Sequence, residues 1–228
     1  MTYIVAVLSN VTSITVPATV LEIAWDAFSS ASSLRVIDFE PGSQLKAFHS
    51  NSLILSTMTL PESLETIGDY SFNYVHTIYN RSNLQLTIGS FEHGCVATTA
   101  QRIVNKDGSN TYNIPENGFM TEDGLIFSIE DGNYTLVSYV GDEDTVTLPL
   151  TIHGQSYNLF EVRGLRNVII PEGFTHIPEW AFDGCYTMES VVIPQTVTYI
   201  GYAAFGGCAV CAGAERGGSL CVGRSLCH

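Results

Sequence analysis

Short β-branched runs, each closed by a proline, recur along this chain. Ile14–Val16 precedes Pro17, Thr57–Leu60 precedes Pro61, Val168–Ile170 precedes Pro171 and Val191–Ile193 precedes Pro194. After each proline an isoleucine stands at +6 and a phenylalanine at +11: Ile23/Phe28, Ile67/Phe72, Ile177/Phe182 and Ile200/Phe205. The stretch Val168–Cys185, VIIPEGFTHIPEWAFDGC, returns 23 residues later as Val191–Cys208, VVIPQTVTYIGYAAFGGC. Such runs favour extended backbone, because their side chains pack well on a pleated surface. The proline then ends the strand, since it lacks the amide hydrogen a ladder needs. Alternation along a strand predicts Ile14/Val16, Met58/Leu60, Val168/Ile170 and Val191/Ile193 facing a core. The same alternation turns Thr15, Asp38, Thr57, Thr59, Asn167, Ile169, Ser190 and Val192 outward. The isoleucine and phenylalanine return to the core from the far side, with Trp25 inward beside Phe28. Gly68 and Gly201, directly after the isoleucine, suit a tight bend.

No single unit of this kind buries its apolar face alone, whereas stacked units share one continuous core. A fixed period of about 20–29 residues rich in leucine and isoleucine marks a leucine-rich-repeat solenoid. The predicted fold is therefore mainly β with short helical turns: a parallel ladder with a period of roughly 22–24 residues.

Four segments follow in order. Residues 1–95 form a first repeat block. It opens with an entering strand at Tyr3–Leu8 and a first clear unit over 11–28. A less regular unit over 34–53 carries two extra residues around the Pro41-Gly42 turn signal. The register returns over 55–72, and Thr77-Ile78-Tyr79 starts a degraded unit that ends at Cys95. Residues 96–146 lose the period and read as a small β insertion. There Leu125–Ile129 and Tyr134–Val140 flank Glu130-Asp131-Gly132-Asn133, a tight-turn hairpin signal, with Val146–Leu148 a candidate third strand. The ladder resumes at Leu148-Pro149, and residues 147–208 form a second repeat block. Residues 209–228 are a Gly/Cys-rich tail without a strand-plus-proline signal, expected to be poorly ordered and a weak cap for the last coil.

The repeat resembles the BspA-like leucine-rich-repeat family, whose units read approximately IPxxVxxIGxxAFxxC. Ile193–Cys208 and Ile170–Cys185 match best, followed by Leu60–Phe72, and the resemblance covers residues 11–95 and 147–208. It implies a surface-exposed or secreted protein engaged in adhesion and protein binding. The N-terminus, MTYIVAVLSN, has no basic region and only a short apolar run, so the expectation is that this chain carries neither signal peptide nor anchor. A fragment of a larger surface protein is one reading of that combination.

The 228 residues hold 23 acidic against nine basic side chains, a net charge of −14. That is enough chain for a sizeable core, as one elongated domain or two closely joined ones. The acidity argues against nucleic acid, whose phosphates want a cationic surface, and against anionic membranes. It promotes solubility. No segment is long and apolar enough for membrane insertion. Cys185 and Cys208 share one repeat position, approximately matched by Cys95, and read as small buried hydrophobes rather than a disulfide framework.

Candidate chemistry is sparse. Cys208, Cys211, Cys221, Cys227 and His228 have the ligand types for zinc, but the second half-site has no standard spacing and the repeat core claims Cys208. Asp142-Glu143-Asp144 and Glu130-Asp131-Gly132-Asn133 offer oxygens for calcium without an EF-hand spacing, and read as solvated turns. The six histidines show no ligand or relay spacing; His176, between Phe174 and Ile177, is expected to face solvent. No nucleophile elbow, zinc-protease motif or P-loop occurs. Asn10, Asn80 and Asn133 head glycosylation acceptor triplets, which matter only in a eukaryotic secretory setting.

These observations point to a non-enzymatic protein-interaction or adhesion module without cofactor or metal. Its outward strand residues would meet an unidentified, possibly host, protein ligand. Ile169 and Val192, on neighbouring coils, form an apolar pair on that face. The alternatives are a hydrolase or calcium site carried on the insertion with the repeats as scaffold, or a non-functional fragment. Oligomeric state is left open.

Overall fold

The computed structural model describes residues 3–4, 11–49, 53–69, 71–89, 95–97 and 99–208. The tail 209–228 and most of the Tyr3–Leu8 segment, beyond a strand at Tyr3–Ile4, lie outside the described residues. The chain divides into two compact units, Met1–Asn113 and Ile114–His228. Each is a β-solenoid of short parallel strands joined by tight turns, and the described residues form no helix.

In the first unit, Ser13–Val16 pairs in parallel with Val36–Phe39, and Leu55–Leu60 pairs with Val75–Asn80, which continues to Arg102–Val104. Arg102–Val104 also takes Asn110–Tyr112 as an antiparallel neighbour. A second ladder runs Tyr3–Ile4, Glu22–Ile23, Ala47–Phe48, Thr66–Ile67. The corners are turns closed onto the proline carbonyl: Val20 N–H donates to Pro17 O, and Leu64 N–H to Pro61 O. Proline at that place ends the strand and leaves its carbonyl to close the turn.

The core is built in columns. Val16, Met58 and Leu60 are buried and Ile14 packs partly against them. Phe28, Phe48 and Phe72 stack coil on coil, with centroids 6.2 Å and 5.1 Å apart. The irregular second repeat thus still supplies a ring to the shared column. Trp25 departs from expectation and is 51 % exposed. It lies in a run of consecutive turns between Ala24 and Ser29, where alternation no longer fixes the direction of a side chain. Asn80 is buried, its amide donating to Leu84 O and its oxygen accepting from Ser82, so in the folded chain it is unavailable as a glycan acceptor.

In the second unit, Thr145–Thr147, Asn167–Ile169 and Ser190–Val192 form one parallel ladder, and His176–Ile177 pairs with Tyr199–Ile200. Val146–Leu148 therefore belongs to the ladder rather than to the hairpin sheet, because Val146 stands in register with Val168 and, through it, Val191. The hairpin forms from Leu125–Glu130 and Asn133–Tyr139, turning at Asp131 and Gly132, with φ of 51° and 79°. Positive φ at both central residues is the twist-matched hairpin geometry. Its flanking strands are Gly118–Met120 and Tyr157–Arg163, the latter parallel to the hairpin. Val168, Ile170, Ile177, Phe182 and Val191 are buried, and the Phe182 and Phe205 rings stack 5.3 Å apart at 9°.

The glycines after the repeat isoleucine have a different reason from a bend. Neither Gly68 nor Gly201 takes a left-handed φ. Each lies instead against the coil before it: a Cβ on Gly201 would come within 2.4 Å of the Glu179 backbone nitrogen, and one on Gly68 within 2.8 Å of the His49 ring. The close approach of successive coils sets the residue type there.

Candidate functional site

A parallel ladder fixes which side chains become lateral neighbours, because pairing leaves every second residue facing away from the core. In the first unit Thr15 stands beside Asp38, both exposed. In a separate sheet of that unit Thr57 stands beside Thr77, and Thr59 beside Tyr79. Thr57 is exposed and Thr59 half-buried. In the second unit Asn167 is level with Ser190 and Ile169 with Val192. Asn167, Ile169 and Ser190 are half-buried, while Val192 is 53 % exposed. The eight outward positions thus fall in three ladders, two in the first unit and one in the second.

Side chains are also tied across coils at the repeat spacing. Ser190 Oγ donates to Asn167 Oδ1 at 2.7 Å, and Asn167 Nδ2 to the Asp144 carbonyl at 3.1 Å. One residue earlier in each coil, Arg166 joins Asp144 at 3.3 Å and Glu189 at 2.7 Å. Those carboxylates, Glu189 first, raise the Arg166 guanidinium further above its ordinary range. An exposed column of this kind contributes little stability, but it holds a polar stripe next to the Asn167/Ser190 pair.

A second acidic group occurs where the chain turns back. Glu161 pairs with Arg163 at 3.0 Å, and burial, then the Glu161 charge, raises the Asp183 carboxyl. Beside it lie three exposed aromatic residues that the repeat pattern passed over: Phe160, Trp180 and Tyr202. Trp180 and Tyr202 stand at +9 and +8 after their prolines, between the core positions at +6 and +11, whereas Phe160 stands at +11 after Pro149 and yet is exposed.

Among the described residues no three His, Cys, Asp or Glu side chains converge to hold a metal ion. Of the proposed zinc ligands only Cys208 is described; it is buried and its thiol donates to Phe182 O at 3.1 Å. Cys185 is also buried, its thiol bonded to Leu165 O and pushed up to about 11 by burial, while Cys95 is half-buried. His176 faces solvent. Within the hairpin region the aromatic and imidazole rings of Phe119, Phe127, Tyr134, His153 and Tyr157 pack on each other at 5.1–5.8 Å, with Phe127 buried and His153 exposed.

The profile of the BspA type leucine rich repeat region matches this chain in six copies, over residues 6–125 and 139–212. The chain belongs to the BspA-type leucine-rich-repeat family. The unmatched residues 126–138 are those of the hairpin. Two solved structures are similar to this BspA-type chain. One is the pneumococcal vaccine antigen PcpA, at 18% identity over 87% of this chain and 49% of that one, with a TM-score of 0.28. The other is a leucine rich cell surface protein from Faecalibacterium prausnitzii, at 18% identity over 87% and 59%, with a TM-score of 0.25. This chain spans about half the length of these structures. No curated protein matches it. Repeats of the BspA type suggest a scaffold for protein interaction or adhesion, and such scaffolds are typically non-enzymatic.

Proposed function

We propose that this BspA-type chain is a non-enzymatic adhesion module whose ladder strands present their outward residues to a protein ligand. The observation that carries this reading is the ladder register itself. Thr15/Asp38, Asn167/Ser190 and Ile169/Val192 are lateral neighbours on successive coils, so single residues become repeated stripes. Solenoids use such stripes as extended binding surfaces. The Ile169/Val192 pair adds an apolar element that a folded partner could cover. We further read residues 1–95 and 147–208 as two repeat blocks, 96–146 as an insertion between them and 209–228 as a tail. Surface exposure or secretion, which repeats of this family support, is part of the proposal.

The experiment is binding of the full chain to extracellular-matrix proteins and cells, beside a Thr57→Glu/Thr59→Glu/Ser190→Glu variant with the same melting temperature. Saturable binding that the three carboxylates abolish supports the ladder surface. Binding that survives them, or none from the folded wild type, overturns it.

A further inference from the structure

The first unit and residues 114–208 of the second differ sharply in charge. Residues 1–113 hold nine carboxylates and five basic side chains, a net charge of −4. Residues 114–208 hold thirteen carboxylates and two arginines, a net charge of −11. Both arginines are already engaged, Arg163 with Glu161 and Arg166 with Asp144 and Glu189. The second unit therefore presents carboxylates well in excess of its own cations, and such a field attracts cationic partners.

In the same unit lies a strip of exposed rings off the ladder strands. Glu161 and Val162 N–H donate to the Trp180 and Ala181 carbonyls, and Trp180 and Phe182 N–H donate to the Tyr202 and Ala204 carbonyls. That register sets Phe160, Trp180 and Tyr202 on three successive coils. They are 48 %, 39 % and 57 % exposed, and the Trp180 and Tyr202 rings meet edge to face at 5.2 Å. Trp180 is held at φ 60°, a backbone state that a bulky residue rarely adopts. Glu179 precedes Trp180 and is exposed, while Glu161 and Asp183 follow Phe160 and Trp180 along the chain. Aromatic faces edged by carboxylates are the surroundings that an arginine side chain recognises, through stacking, cation–π attraction and charge together.

We propose that the Phe160/Trp180/Tyr202 strip binds an arginine-rich extended segment of a partner protein. This rests on the reading of the chain as a protein-binding module and adds a second face to it. Arginine guanidinium groups lie over Trp180 and Tyr202, and Glu161, Glu179 and Asp183 receive their N–H donors. An extended segment suits the strip because the rings repeat at the coil spacing, about 4.8 Å between neighbouring coils, so alternate side chains of one strand can reach successive rings.

The decisive experiment measures anisotropy of a labelled Arg-Gly-Ser repeat peptide titrated with the full chain at physiological ionic strength. Lys-Gly-Ser and Glu-Gly-Ser repeats serve as rivals. The arginine peptide is expected to bind saturably and more tightly than the lysine peptide, and the glutamate peptide not at all. Trp180→Ala and Tyr202→Ala should each weaken binding about tenfold, the scale of a desolvated cation–π contact. Tyr202→Ala keeps the measurement decisive should Trp180→Ala fold poorly, and coincident melting curves check both. In a Trp25→Phe protein the emission of Trp180 alone should shift on titration. Equal affinity for the aromatic variants, equal binding of all three peptides, or no binding would each overturn the proposal. The Thr57→Glu/Thr59→Glu/Ser190→Glu protein leaves this strip untouched and must still bind the peptide. Failure of the ladder reading and failure of this one are therefore distinguishable.

Discussion

Phe182 and Trp25 are both large aromatic residues in the turns of a repeat, yet one has no exposed surface and the other is half in solvent. Phe182 stacks on Phe205 within the column, so Phe182→Ala should destabilise the chain by about 3–5 kcal/mol, the cost of a large aromatic cavity. Trp25→Ala should cost far less, within about 1 kcal/mol. Urea unfolding of both variants checks the contrast, and equal losses would contradict the register. Cys185 offers a test in pH. Burial pushes its thiol up to about 11 from an ordinary 9.0. An unfolded thiol ionises first as the pH rises, so the stability Cys185 contributes is complete below pH 9 and lost between 9 and 11. The slope is about 1.4 kcal/mol per pH unit. Cys185→Ala should flatten that part of the stability–pH profile; an identical slope in both proteins would refute it. Burial raises the Tyr157 hydroxyl as well, so its own loss of stability also comes with rising pH, beginning at its ordinary 10.0 and extending above the Cys185 range.

At the scale of the element, a strand here is two to seven residues long and holds only because the next coil repeats it. Gly201 shows how close that repetition is. Gly201→Ala would place a methyl group 2.4 Å from the Glu179 nitrogen and 2.7 Å from the Pro178 carbonyl carbon, both backbone atoms that cannot step aside. The expected loss is about 1–3 kcal/mol, as for overpacking elsewhere. Gly68→Ala should cost less, since the first atom met is on the mobile His49 ring; thermal melts that rank the two the other way would contradict this packing. The ladder strands and the Leu125–Glu130 hairpin strand were legible in the sequence, because period-two alternation and a turn dipeptide leave direct traces. Tyr157–Arg163 was not, since it joins the hairpin in parallel through residues 23 to 25 positions away in sequence. Val146 was assigned to the wrong neighbour because an isolated three-residue strand carries no mark of its partner. Gly201 was recognised as necessary, but the reason, contact with Glu179, exists only once coils stack.

For the whole chain, the repeat pattern fixed the buried columns and the outward ladder residues, and left the surface chemistry largely unread. Thr15, Asp38, Thr57 and Val192 emerge exposed, while Ile169 is half covered beside Val192. The Phe160/Trp180/Tyr202 strip stayed hidden because its members occupy different places in their sequence repeats and meet only through backbone pairing between coils. The charge difference between residues 1–113 and 114–208 was present in the sequence but acquires meaning only with the two units in view.

One repeat register decides for the chain which side chains are core and which are surface. Backbone NOEs on the deuterated protein test it most directly. They should connect Val146 with Val168, Val168 with Val191 and Thr57 with Thr77, the registered parallel pairs. Cross-coil contacts displaced by one residue would turn every ladder side chain to the opposite face and contradict the account.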